Sequence, residues 1–133
     1  MKYLYLLTVG TITALTVVLS SCKNVLGPSG QADIVFPASN VSYTKQVLPL
    51  FSIDCAYSGC HDDQTSAGNL DLTTYNGLIS APGVVIAKDT VHSILIQVIE
   101  GRGYTMPPPP ALLLNSNQIQ GLKTWIMEGL KYN

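Results

Sequence analysis

The chain has 133 residues, room for one domain, with 47% hydrophobic and 11% charged residues and a formal charge of −1. A near-neutral chain lacks the basic surface that phosphate backbones require, which excludes nucleic acid as a partner. Much of the apolar excess lies in one N-terminal run, so the composition does not by itself imply a membrane-spanning protein.

That run extends from Leu4 to Leu19 behind Lys2 and carries no charge. It is too short and wrongly flanked for a transmembrane helix and suits the apolar core of a secretory leader. It ends in Leu19-Ser20-Ser21-Cys22, which resembles a bacterial lipobox. The expectation is a lipoprotein signal peptide over 1–21 and a lipidated Cys22, with the mature chain exported and anchored to a bacterial membrane. Ordinary cleavage near Ser21, leaving a free thiol, is the alternative. Residues 22–41 include Gly27-Pro28-Ser29-Gly30 and show little periodicity, as a flexible tether does. The domain is expected over 42–133. Without Lys2 the balance is 6 basic against 8 acidic residues.

Ser42 is a candidate N-cap for a short helix carrying Val47, Leu50 and Phe51, with Pro49 expected to kink or shorten it. The helix delivers the chain to Cys55-Ala56-Tyr57-Ser58-Gly59-Cys60-His61. Two cysteines followed at once by histidine is the attachment chemistry of c-type haem: the thiols add to vinyl groups and the imidazole binds iron. The usual spacing is C-x-x-C-H, whereas four residues intervene here, and Gly59 supplies backbone freedom for the longer loop. A C-x4-C pair also serves as a small disulfide loop or half a zinc site.

Leu70, Leu72 and Tyr75 are expected to line a pocket or the core, with turns at Asn76-Gly77 and Pro82-Gly83. Val91, Ile94, Leu95, Val98 and Ile99 form a helical stripe, with Asp89 or Thr90 to start it and Gly101 to end it. Met106 then precedes four prolines, read as an extended, stiff run that holds a thioether on a loop. A surface linker is the plainer reading. Asn115 with Gln118 makes a capping box for a last helix, whose expected stripe is Ile119, Leu122, Ile126 and Leu130 beside Trp125.

Val47-Leu48-Pro49-Leu50-Phe51, the Cys55–His61 motif, Gly68-Asn69-Leu70-Asp71-Leu72, Ser93-Ile94-Leu95, Met106-Pro107-Pro108 and Trp125–Gly129 together resemble a small class I-type cytochrome c domain. The subtype is the planctomycete type, which also occurs in Bacteroidetes lipoproteins, and the resemblance covers roughly residues 43–131. It implies an all-α fold around one covalent haem c, with the first and last helices in contact through Val47, Leu50 or Phe51 and Leu122, Trp125 or Ile126. It implies Cys55 and Cys60 as thioether donors and His61 and Met106 as axial iron ligands. His92 is the rival sixth ligand, Met127 reads as core packing, and Arg102 is a candidate partner for a haem propionate. A carbonyl near Pro82-Gly83 or Ala87-Lys88 is expected to accept the His61 ring N–H.

The function these readings imply is electron carriage by a membrane-tethered, non-enzymatic, single-haem protein. Its partners would be membrane-associated or periplasmic redox proteins. The rivals are a haem enzyme or sensor with a labile sixth ligand, and a haem-free lipoprotein with a Cys55–Cys60 disulfide.

Overall fold

The computed structural model describes residues 34–133. The expected signal peptide, the lipidation site Cys22 and most of the tether lie outside them. Among the described residues the elements are helical, in agreement with the all-α expectation; the one sheet-like feature is an isolated bridge between Ile86 and Asp89.

The first helix opens as a π turn, Tyr43–Val47, and continues as α1, Leu48–Asp54. Ser42 caps it, accepting from Lys45 N. In a regular helix the Pro49 ring would meet the carbonyl four residues back. The chain passes it by the wider π turn, in which Val47 N donates to the Ser42 carbonyl at 3.3 Å. The next elements are α2, Tyr75–Ile79, and α3, Ile94–Ile99. The last is α4, Ser116–Met127, with the Asn115–Gln118 capping box in place.

Helix α4 buries Gln118, Gly121, Leu122, Trp125 and Ile126. The first and last helices meet through Tyr43 and Trp125, whose ring centroids are 5.7 Å apart. Val47, Leu50 and Phe51, the contacts implied by the resemblance, belong to the same buried cluster. Tyr75 and Tyr132 complete an aromatic group around Tyr43, at 5.0 and 5.6 Å.

The packed region begins upstream of the expected boundary at 42. Phe36 and Val41 are buried. The Asn117 amide accepts from Phe36 N at 2.8 Å and donates to its carbonyl at 3.0 Å. A Cβ at Gly121 would overlap the Phe36 ring, so glycine is what admits the ring to the helix backbone. The Glu128 carboxylate accepts from Asn40 N at 2.6 Å and Val41 N at 3.0 Å. The first helical turn is fastened from the other end of the sequence: Asn133 Oδ1 accepts from Tyr43 N, and its carbonyl accepts from Thr44 N.

Three local expectations are corrected. Asn76-Gly77 lies inside α2 rather than in a turn; Gly77 is required there because a side chain would meet the Asp71 carbonyl. Helix α3 starts after Ser93, because Asp89 Oδ1 accepts from Val91 N and His92 N and closes a turn of its own, leaving Val91 exposed. The proline run is not a straight rod: the bonds before Pro107 and Pro110 are cis, and Ala111 N donates back to the Pro108 carbonyl.

Candidate functional site

Helix α1 ends where Cys55 N and Ala56 N both donate to the Phe51 carbonyl, which turns the chain into the motif loop. The loop is closed on itself by His61 N to the Cys55 carbonyl at 3.2 Å and Cys60 N to the Tyr57 carbonyl at 3.0 Å. Gly59 has φ 88°, a left-handed conformation that fits the extra length of the C-x4-C spacing. Downstream residues clamp the loop from outside: Ala67 N donates to the Cys60 carbonyl and Leu72 N to the His61 carbonyl, both at 2.9 Å.

The His61 ring is oriented by Nδ1, which lies 3.2 Å from the Leu70 carbonyl. A carbonyl only accepts, so Nδ1 carries the proton and Nε2 is left with its lone pair for a metal. This corrects the expected partner near Pro82-Gly83 or Ala87-Lys88. The 3-10 turn Ala67–Asn69, with left-handed Gly68 and Asn69, lifts the Leu70 carbonyl to the ring.

Cys55, Cys60, His61 and Met106 line one cavity of about 280 Å³. Leu70 and Leu72 form part of its wall, as expected. Helix α3 supplies Ile94, Leu95, Val98 and Ile99, so the apolar stripe read from the sequence is a cavity wall. Gly101, at φ 72°, ends α3, and Met106 N donates to the Val98 carbonyl at 3.0 Å, fixing the methionine loop against the helix. Pro107, Pro108 and Leu114 close that side.

The polar groups are few and concentrated at the motif. Desolvation, reinforced by the Asp54 carboxylate and then by Cys60, pushes the Cys55 thiol up to about 12. The Tyr57 phenol is raised as well, chiefly by its hydrogen bond to Cys60. Asp54, Tyr57 and Leu114 were not singled out from the sequence as site residues. Asp54 and Tyr57 adjoin the motif, which is a usable signal; Leu114 has none, since it reaches the cavity from just before a distant helix.

The other candidates do not converge here. His92 is exposed and pairs through Nδ1 with Asp89 at 2.7 Å, away from the cavity lining. Met127 is 52% exposed rather than core, because it falls in the last turn of α4 on the side away from Trp125. Arg102 pairs with Glu100 at 3.0 Å, and Lys123 binds the same carboxylate at 2.7 Å, which holds Glu100 below the usual carboxylate range. Among the described residues no cluster of three or more His, Cys, Asp or Glu could hold a bare metal ion, so the cysteine pair finds no partners for a zinc site.

The donor set fits a haem. Cys55 and Cys60 carry free thiols at the cavity edge, His61 presents an oriented imidazole, and Met106 brings a thioether to the same apolar space. A family model described as planctomycete cytochrome C matches residues 58–110, a stretch that starts within the motif and runs through Met106 to the last proline. No curated protein and no solved structure matches the chain. From Ser58 to Pro110 the chain is similar to the planctomycete cytochromes c, and the resemblance carried by its motifs to a small cytochrome c-type domain holds.

Proposed function

We propose that the protein is a membrane-tethered electron carrier with one covalent haem c, working by outer-sphere transfer and not as an enzyme. The observation that carries this is the convergence of Cys55, Cys60, His61 and Met106 on a single apolar cavity. When bound, the haem supplies one-electron exchange at iron. Cys55 and Cys60 would hold it as thioethers, and His61 and Met106 would bind its iron.

The residues of the chain account for the rest. The Leu70 carbonyl fixes the His61 ring, so the ligand needs no rearrangement between oxidation states. The walls from α3 and Leu114 keep water from the site, and thioether ligation with apolar burial raises the reduction potential. Lipid at Cys22 would keep the carrier close to redox partners at the membrane. A labile sixth position would turn the reading towards an enzyme or sensor, and no distal acid–base pair among the cavity residues favours that.

The test is the visible spectrum of protein produced with the cytochrome c maturation machinery. The expected outcome is a low-spin spectrum whose pigment stays with the protein after acid–acetone extraction. A colourless product, or pigment that extracts fully, overturns the reading.

A further inference from the structure

We infer that the surface around the first turn of α4, carrying Val35, Leu112 and Leu113, rests on the lipid bilayer to which the chain is tethered. The inference builds on the proposed lipidation of Cys22 and adds which face of the domain meets the membrane.

Two segments distant in sequence converge at this turn. Phe36 is held by the Asn117 side chain, which places Val35 beside the start of α4. Leu112 and Leu113 lead directly into the Asn115 cap through the buried Leu114. Val35 is 73% exposed, and Leu112 and Leu113 are 51% each. Exposed aliphatic side chains within tether reach of a bilayer suit the acyl region beneath the headgroups.

The reach of the tether selects that partner. Cys22 and Ile34 are twelve residue steps apart. Fully extended, such a segment spans about 40 Å, and as a flexible coil about 20 Å. A domain of a hundred residues has a radius of gyration of about 13 Å. The domain therefore stays within about its own diameter of the bilayer, and Val35 is the nearest of the three to the tether in sequence. At that range seating is effectively intramolecular, and a patch too small to bind membranes alone is enough. Beside Leu113, Lys123 and Arg102 share the one carboxylate of Glu100, so this edge carries an excess positive charge that suits anionic headgroups.

The test uses the full, lipidated, haem-loaded chain in vesicles of phosphatidylethanolamine with one third phosphatidylglycerol. Nitroxides are placed through a bio-orthogonal ketone side chain at positions 35, 112 and 113, with 91 and 127 as controls. Labels at 35, 112 and 113 are expected to collide more with oxygen than with a water-soluble nickel complex, and the controls to show the reverse. The paired change Leu112→Asp, Leu113→Asp is expected to return the label at 35 to water with the visible spectrum unchanged. Aqueous readings at all positions overturn the inference, as does immersion at 91 in place of 35. The mass of the N-terminal peptide is read on the same sample. If Cys22 carries no lipid the tether reading fails, and the face is then tested with residues 1–22 replaced by a histidine tag on nickel-chelating lipid, where the same two patterns decide it.

Discussion

The His61 imidazole and the Leu70 carbonyl, nine residues apart, form the contact that aims the ligand ring, at 3.2 Å. It depends on two successive left-handed residues, Gly68 at φ 66° and Asn69 at φ 61°. Gly68→Val is expected to cost about 1–2 kcal/mol and to loosen the ring, seen as a lower melting temperature and a shifted reduction potential. Asn69→Gly removes a side chain from a left-handed position and should be neutral or slightly stabilising in the same melt. Equal losses from both variants would detach the ring from the turn.

Met106 and Met127 provide the sharpest test of the axial pair. Only Met106 lines the cavity with His61, and Met127 is half exposed on α4. The ferric protein should show the weak far-red sulfur-to-iron charge-transfer band. Met106→Ala should abolish it, lower the potential and admit exogenous ligands, whereas Met127→Leu should preserve it. The opposite pattern would move the ligand to α4.

Helix α4 was legible in the sequence because its signals are local: the Asn115–Gln118 box and the apolar spacing lie within one element. The motif and Met106 were legible because their chemistry is written in residue type. What was missed depends on distance. Phe36 belongs to the core only because Asn117 and Gly121 wait for it more than eighty residues later, and nothing near Phe36 says so. The Leu70 carbonyl and the late start of α3 turn on backbone detail, a left-handed pair and an aspartate that closes its own turn, which periodicity does not encode.

Phe36 gives that missed region an energetic test. It is buried against the backbone of Gly121, so Phe36→Ala should destabilise the domain by about 3–5 kcal/mol in urea unfolding. Gly121→Ala should cost a comparable amount, since the added Cβ overlaps the Phe36 ring and displaces it. A chain starting at residue 42 should melt well below one starting at 34.

Attachment makes a prediction about pH. In haem-free protein the buried Cys55 thiol ionises near 12, against an ordinary value of 9.0 once unfolded. Between those values the unfolded chain has released the proton and the folded chain still holds it, so stability falls as pH rises, by up to about 1.4 kcal/mol per pH unit. Tyr43, raised from 10.0 to about 12 mainly by burial, adds to the loss in the upper part of the window. In haem-loaded protein Cys55 no longer titrates, and its share of the loss should vanish. Urea midpoints of the two forms across pH 8–11 measure the difference, and parallel curves would count against a thioether at Cys55.

Order of synthesis gives the Asn133 contacts a further meaning. Tyr43 and Thr44 wait for the carbonyl and amide of Asn133, and Asn40 and Val41 for Glu128, across separations of 87–90 residues. These contacts on the first helix and the segment before it therefore wait until residues 128–133 have emerged. Until then Cys55 lies in an open chain, with an ordinary thiol rather than the buried one, and its thiolate is available at moderate pH. On the proposed function, the interval between the emergence of the motif and the arrival of residue 133 would be the window for covalent loading, and closure of the domain would end it.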